Sequence, residues 1–529
     1  MTYLAVSISG KDLKSCKEQI TTAIKAGAEM LELRTDYIDA LDTDKLREVI
    51  RFAKETSLPT RCDAVAPRRI IVTCRDAAEG GQNNLNSAAR KQILSDAIKL
   101  GADFIDCEYE NFIKEDFSDT IKKALSENNK TKLILSAHNF RNKFENLTGI
   151  YEQIFAVYPS AIAKTAYQAN HINDCFEAFD VLKKYGRKAI AICMGQTGII
   201  SRIIAKKFEA FLTFASIRQN QETAAGQLTI EEMKKLYRFD TINSKTELFG
   251  VIADPVEHSI SPDVHNACFE AEKMNRLYLP LQVCGGQKEF NEFLDNITAR
   301  NWLDFRGFSI TIPHKTNALE YARAKGELIE PLAIKIGAVN TLTIGFNERI
   351  TGYNTDYAGA MDALTGVLGI KRKQLHNKTV AVIGAGGAAR AIVAGLADVG
   401  AKITIYNRTV SKAQSLAEEF GCHFAGLEDI KNLDAEIVIN CTSIGMYPKV
   451  DASPVPAKCI QSSMVVFDTV YNPLETLLLK HAKQAGAKVV GGAEMFIGQA
   501  AEQFKLFTHK DCPMDILRQA TLKAPQQKY

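Results

Sequence analysis

No stretch of this 529-residue chain holds the roughly 20 consecutive apolar residues that a membrane-spanning helix needs, so a helical integral membrane protein is excluded. Net charge is nearly absent as well, with 65 Lys and Arg set against 62 Asp and Glu for a formal +3. That balance gives no electrostatic reason to expect a nucleic-acid or anionic-membrane partner, while small anions held by a few placed cations stay open. The 12 cysteines form no CxxC pair and no Cys/His cluster with metal-ligand spacing. Free thiols in a reducing compartment are the plain reading, and no metal site is expected. Strand-like residues begin at Tyr3, ahead of any charged and apolar leader, so the chain as given is expected to be cytoplasmic.

One hydrophobic core cannot serve a chain this long, and two or three domains are the prior. Over roughly the first 240 residues, short apolar runs alternate with longer amphipathic stretches. The runs are YLAVSIS from Tyr3, MLELRTD from Met30, RIIVTCR from Arg69, FIDCEYE from Phe104, LILSAHN from Leu133, AIAKTAY from Ala161, AIAICMG from Ala189 and FLTFAS from Phe211. Eight such units are the pattern of a (β/α)8 barrel, whose active sites lie at the C-terminal strand ends. Polar residues fall there: Glu32 and Arg34 at the second run, Arg75 the third, Glu108 the fourth, His138 the fifth and Lys164 in the sixth, with Arg202 and Gln227 after the seventh and eighth. Any one of them could simply mark where a strand meets solvent. Together they encircle one mouth.

The chemistry follows from the types. A lysine inside AIAKTAY is desolvated and close to other cations, both of which depress its pKa and free an amine to attack a carbonyl. His138 can move a proton near neutral pH, with Glu108 to fix its orientation and tautomer. Arg34, Arg75 and Arg202 supply clamps for a carboxylate and hydroxyls. A class I aldolase needs the same strand-borne lysine and is the alternative at this point.

The order of the strings excludes it. ELR at Glu32, TCRDAAEGG at Thr73, SAHNF at Ser136, AKTA at Ala163, ISR at Ile200 and AAGQ at Ala224 resemble type I 3-dehydroquinate dehydratase across the first half. The resemblance implies an imine between Lys164 and a ring ketone, proton removal by His138, the substrate carboxylate on Arg202, and Glu32, Arg34, Arg75 and Gln227 on the ring oxygens. Thr223 stands where that family commonly has Ser near the closing loop, and its hydroxyl is retained.

After the polar break RFDTINSKTEL from Arg238, the strongest motif is KTVAVIGAGGAARAIVAGL from Lys378. A strand runs through the turn Gly384, Ala385, Gly386, Gly387, Ala388, Ala389 into a helix, which places a pyrophosphate at a helix N-terminus. The next strand ends in Asn407, Arg408 and Thr409 rather than in a carboxylate, so a 2'-phosphate is welcome and NADP is preferred. Upstream, GVIADPVEHSISPDVHNACF carries Ser259 and Ser261 before a helix. Such serines ordinarily cap helices, and two hydroxyls can equally bind a carboxylate. FSITIPHK ends at Lys315 and GYNTD at Asp356, a couple suited to proton transfer beside a carbonyl that accepts hydride.

SISP, TIPHK, GAVNT, GYNTD, the GAGGAA turn, NRT, NCTSIGM, VYNP and GGAEMFIGQA resemble shikimate dehydrogenase in the family's order. The resemblance implies that Ser259, Ser261 and Tyr471 hold a carboxylate, that Thr311, Asn340 and Gln499 bind ring hydroxyls, and that Lys315 and Asp356 serve proton transfer. The first family's product, 3-dehydroshikimate, is the second's substrate. The whole chain therefore resembles a bifunctional enzyme making shikimate from 3-dehydroquinate. The implied domains are a barrel over 1–242, an α/β substrate lobe over 246–355 resumed by 493–529, and a Rossmann domain over 356–492. A catabolic quinate enzyme using NAD is opposed by Arg408. A non-enzymatic scaffold is opposed by the presence together of Lys164, His138, Lys315 and Asp356.

Overall fold

The computed structural model describes residues 2–56, 69–218, 226–345 and 347–528. The chain divides into two compact units, Met1–Thr246 with Leu281–Cys284, and Glu247–Pro280 with Gly285–Tyr529. Among the described residues no helix is long and apolar enough to cross a membrane.

The first unit is a parallel eight-stranded barrel: β1 Tyr3–Ile8, β2 Met30–Arg34, β3 Arg69–Thr73, β4 Phe104–Glu108, β5 Lys132–Asn139, β6 Ile162–Gln168, β7 Ala189–Met194 and β8 Leu212–Ala215. Its ladder runs β7-β6-β5-β4-β3-β2-β1-β8. At the seam between β7 and β8 the Phe211 N–H donates to the Ala189 carbonyl at 2.9 Å. Helices cover the outside by amphipathic spacing. Thr43–Glu55 buries Leu46, Val49, Ile50 and Ala53, one helical stripe, and starts at Asp42, whose side chain accepts from the Lys45 N–H.

The barrel interior is built in layers by the two-residue period of a strand. Ala5, Met30, Ile71, Phe104, Ile134, Ile162, Ile190 and Leu212 belong to one apolar cluster, one residue from each strand. Two positions further along each strand, the same inward face carries Ser7, Glu32, Thr73, Asp106, Ser136, Lys164, Ile192 and Phe214. The floor is thus greasy and the layer above it is polar on six of eight strands. Strand stagger decides which polar residues become neighbours, pairing Thr73 with Asp106, Glu108 with Ser136, and Ser136 with Lys164.

The second unit contains two sheets. β9 Glu247–Ala253, β10 Arg276–Gln282, β11 Phe305–Ile310, β12 Leu328–Ile329, β13 Thr341–Ile344 and β14 Ile350–Tyr353 form a mixed sheet of order β10-β9-β11-β13-β14-β12. β15 Thr379–Ile383, β16 Lys402–Asn407, β17 His423–Gly426, β18 Ile437–Asn440, β19 Val465–Asp468 and β20 Lys488–Val490 form a parallel sheet of order β17-β16-β15-β18-β19-β20. That order reverses beside β15, the doubly wound topology that binds nucleotides at the switch point. The helices Thr355–Leu368 and Gly492–Thr508 cross closely, since a Cβ at Gly359 would lie 2.6 Å from the Gln499 nitrogen.

Candidate active sites

The barrel mouth holds a cavity lined by Glu32, Arg34, Arg75, Glu79, His138, Lys164, Arg202 and Gln227 among others. Lys164 lies on β6, 5% exposed. Its Nζ donates to Asp106 Oδ2 at 2.6 Å and Glu32 Oε1 at 3.3 Å, and sits 4.9 Å from the centre of the Phe214 ring. The nearest charges are therefore carboxylates, not the cations expected from the strand ends. Glu32 is held in turn by Ser7 Oγ at 2.6 Å and Thr73 Oγ1 at 2.9 Å.

His138 is oriented by Glu79, which accepts from the His138 backbone N–H at 3.1 Å and meets Nδ1 at 2.8 Å. The expectation that Glu108 does this is corrected by the geometry. Glu108 instead takes Arg75 Nη1 at 2.8 Å, Arg90 Nη2, and the Asp76 N–H at 3.1 Å. Burial, with Arg75 and Lys164 nearby, holds the His138 imidazole well below its ordinary value, so it is neutral and able to accept a proton. Burial also lifts the Glu79 carboxyl, to about 8, against the pull of Arg75.

The three cavity arginines differ. Arg34 closes a two-pronged pair on Asp36 at 2.9 and 2.8 Å. Arg75 donates to Asp106 at 3.0 Å, Glu108 at 2.8 Å and Ser136 at 2.7 Å. Both line the cavity, yet much of their donor capacity is engaged by the protein. Arg202, in the short helix Ile199–Ile203, is 1% exposed, and its Nε finds no hydrogen-bond partner among the described residues. Burial pushes its pKa down to about 10, against an opposing pull from Cys193. A buried, uncompensated charge costs several kcal/mol, and the arrangement is stable in proportion to how well an anionic ligand offsets that. Gln227 lines the same cavity, and Thr223 lies outside the described residues.

In the second unit, Lys315 opens the helix Lys315–Ala324 and Asp356 sits in the first turn of Thr355–Leu368, and the two side chains are paired through Nζ and Oδ2. Asp356 Oδ1 accepts from Asn340 Nδ2 at 2.9 Å. Asn340 is locked by the Thr355 N–H at 2.7 Å and Thr341 Oγ1 at 2.8 Å. Behind it a buried relay runs from Tyr278 OH to Ser309 at 2.6 Å, Ser309 to Gln503 at 2.7 Å, and Gln503 to Thr341 at 2.9 Å. Ser261 begins the helix Ser261–Ala271, and its N–H donates to Ser259 Oγ at 3.3 Å. Thr311 donates its N–H to the Ile252 carbonyl at 3.0 Å, just past β11. Tyr471 stands half exposed beside Phe496, three residues before Gln499 on the same helix.

The nucleotide turn has the shape its sequence demands. Gly384 has φ +109°, and a Cβ there would come within 3.2 Å of the Cys441 backbone. At Gly386 and Gly387 a Cβ would meet nothing within 4 Å, leaving open space at the N-terminus of the helix Gly387–Asp398. Ala385 and Ala388 flank these positions, and Ala389 is buried against the sheet. At the end of β16, Asn407 Nδ2 donates to the Thr409 carbonyl at 2.9 Å and Arg408 is exposed. The residues fit a phosphorylated dinucleotide: small ones where a pyrophosphate comes close to backbone, and a guanidinium where a 2'-phosphate extends.

Sequence reasoning missed Glu79, Asp106 and Ser7 in the barrel, and Ser309 and Gln503 behind the second site. Asp106 was readable in principle, since it shares the inward face with Glu108 two residues on.

Family models match in chain order: type I 3-dehydroquinase over residues 4–244, the shikimate dehydrogenase substrate binding domain over 251–342, shikimate / quinate 5-dehydrogenase over 368–468, and the shikimate 5'-dehydrogenase C-terminal domain over 492–522. The bifunctional 3-dehydroquinate dehydratase/shikimate dehydrogenase of Arabidopsis thaliana, a chloroplastic protein, is 35% identical over 522 residues, covering 96% of this chain and 82% of that relative. The NADP(+) shikimate dehydrogenase of Methanosarcina mazei is 41% identical over 291 residues, 53% of this chain and 99% of that relative. A solved shikimate dehydrogenase in complex with NADP+ is 40% identical, covers 54% of this chain and 97% of its own, and has a TM-score of 0.49.

Proposed function

The chain belongs to the bifunctional 3-dehydroquinate dehydratase/shikimate dehydrogenase family and carries both activities, and we propose that Lys164 with His138 performs the first and Lys315 with Asp356 the second. It is a lyase and an NADP-dependent oxidoreductase of the shikimate pathway, acting on small molecules.

In the barrel, Lys164 Nζ condenses with the ring ketone and expels water. The resulting iminium draws electrons from the neighbouring carbon, whose proton passes to the neutral His138 ring. The hydroxyl then leaves with a proton returned by His138, and hydrolysis of the imine frees 3-dehydroshikimate and the lysine. Glu79 steadies the imidazolium formed on the way. The single observation that carries this reading is Arg202, a buried guanidinium without a described anion, in the cavity that also holds a buried lysine and a neutral histidine. It is the place for the substrate carboxylate. Glu32, Arg34, Arg75, Gln227 and Thr223 complete the proposed contacts to the ring.

In the second unit, the turn Gly384 to Ala389 would hold NADPH, with Asn407, Arg408 and Thr409 toward its 2'-phosphate, and the bound cofactor would supply the hydride. The chain's own part is to place the ketone and move a proton. Ser259, Ser261 and Tyr471 hold the carboxylate, and Thr311, Asn340 and Gln499 the hydroxyls. Lys315 donates a proton to the oxygen that becomes the new hydroxyl, with Asp356 holding the ammonium in place. We also place the enzyme in the cytoplasm, a reading that the free thiols of its described cysteines support and that cell fractionation tests.

NADPH oxidation by purified protein given 3-dehydroquinate alone tests the whole sequence. It is expected to proceed in the wild type, to vanish in Lys164→Ala, and to return when 3-dehydroshikimate is added. No oxidation from 3-dehydroquinate in the wild type, with normal oxidation from 3-dehydroshikimate, overturns the reading of the barrel.

A further inference from the structure

Asp106 sits fully buried on the inward face of β4, with Oδ2 2.6 Å from Lys164 Nζ. Its other oxygen accepts from Arg75 Nη2 at 3.0 Å and Ser136 Oγ at 2.6 Å. The groups around it are therefore Arg75 beyond β3, Ser136 and His138 on β5, and Lys164 on β6, with Glu32 on β2 the second carboxylate at Nζ, 3.3 Å away. Burial by itself would raise the Asp106 carboxyl, but Arg75 and Lys164 outweigh it and hold the group below its ordinary range. A carboxylate held in that way is a poor proton shuttle and a good fixed anion. Glu32 is the weaker candidate for the same task, because it is further from Nζ and its Oε1 is shared with Thr73.

We propose that Asp106 is the counterion of the iminium formed on Lys164, keeping the imine protonated while the adjacent C–H bond breaks. The proposal rests on the Schiff-base reading above. Condensation of the Lys164 ammonium with the ketone releases one water, so two of three N–H protons leave with the carbonyl oxygen and one stays on nitrogen. That last N–H has Asp106 Oδ2 as its acceptor. When His138 takes the carbon-bound proton, the C–H pair moves into the ring and the C=N pair onto nitrogen, giving a neutral enamine. Departure of the hydroxyl, protonated by His138, draws that pair back and restores the iminium. Loss of the N–H proton beforehand leaves a neutral imine, a far weaker electron sink. An anion fixed at hydrogen-bond distance raises the affinity of nitrogen for the proton.

Asp106→Asn keeps the shape and removes the charge. The alkaline limb of kcat for dehydration is expected to move toward neutrality by about one pH unit or more, with little change in KM. Asp106→Glu, which keeps the charge, recovers part of the shift, and reductase activity of the same protein on 3-dehydroshikimate is unchanged. Borohydride added with 3-dehydroshikimate reduces the iminium to a stable amine on Lys164, read as added mass, and in Asp106→Asn its yield falls more at pH ~9 than at pH ~6. A wild type that forms no adduct overturns the Schiff-base reading itself. A wild-type adduct together with an unmoved limb in Asp106→Asn overturns the counterion, whatever the drop in kcat. If Asp106→Asn does not fold, Ser136→Ala loosens the same carboxylate: a limb displaced in the same direction supports the proposal, and an unmoved limb overturns it.

Discussion

The two lysines proposed for catalysis, Lys164 and Lys315, sit in different surroundings, and the contrast bears on how each site is built. The Lys164 side chain is 6% exposed and its partner Asp106 is 0% exposed, whereas Lys315 and Asp356 are 27% and 13% exposed. A lysine that must become a covalent iminium needs water kept away and its charge balanced by fixed groups, which a closed barrel supplies from eight strands at once. A lysine that only hands over a proton can sit at a helix start near solvent, provided a carboxylate and a locked amide hold it. Where the barrel uses a dense ionic cluster, the second site uses neutral hydrogen bonds behind one ion pair. The lesson is that burial follows the chemistry demanded of the amine.

The comparison breaks first if the lysines are interchangeable in importance. Lys164→Ala removes the covalent path and is expected to lower dehydratase kcat at least ~10⁴-fold while leaving reduction of 3-dehydroshikimate untouched. Lys315→Ala removes a proton donor from a site that still binds both reactants, and is expected to lower reductase kcat by about 10²- to 10³-fold. Separate assays of the two steps decide this, and equal losses would remove the distinction.

A smaller effect probes the paired proton sites of the barrel. Glu79 is protonated below about 8 and ionised above it, and the charged carboxylate, unlike the neutral acid, stabilises an imidazolium on His138 electrostatically. Dehydratase kcat/KM is therefore expected to rise with pH through that value. Glu79→Gln should remove the rise and lower the plateau about 10²-fold, while reduction in the other unit keeps its own profile. An unchanged rise in the variant would assign the titration elsewhere.

Arg202 sharpens the contrast in stability. Because its charge is buried and lacks a described anion, Arg202→Met is expected to raise the thermal midpoint of the first unit by a few degrees, as replacing an uncompensated charge with an apolar chain should. The same change should raise KM for 3-dehydroquinate about 100-fold, the loss of a charge-assisted pair worth roughly 2 to 3 kcal/mol. Calorimetry and steady-state kinetics on one preparation test both. A fall in midpoint would mean that the guanidinium is already satisfied within the protein.

Much of this was legible in the chain, and the gaps have a common cause. The eight runs and their polar ends announced the barrel, because apolar runs alternate with longer amphipathic stretches and polar residues such as Glu32, Arg34 and Arg75 fall where the runs end. Period alone does not say which residue on the adjacent strand stands opposite. Stagger sets Glu108 against Ser136 and sends it to Arg75 and Arg90, while Glu79 reaches His138 from the loop after β3. The orienting carboxylate was therefore assigned to the wrong residue. In the second unit the nucleotide turn was readable because a left-handed Gly384 is a local requirement. The buried relay through Ser309 and Gln503 joins residues 194 positions apart, and no local pattern marks it.

The smallest expected effect lies at the one cofactor contact read from a residue's absence. No carboxylate ends β16, and Arg408 stands exposed there, so the 2'-phosphate contact proposed for it is made by a charge in water. Solvent screening limits such a contact to about 1 to 1.5 kcal/mol, far below the value of the same guanidinium buried as Arg202 is. Arg408→Leu should therefore weaken NADPH by only about 10-fold, leave NADH almost unchanged, and lose even that difference as salt is raised toward 1 M. A 1000-fold loss that resists salt would mean that the loop closes over the phosphate and removes it from water, making the second site as enclosed as the first and erasing the contrast between them.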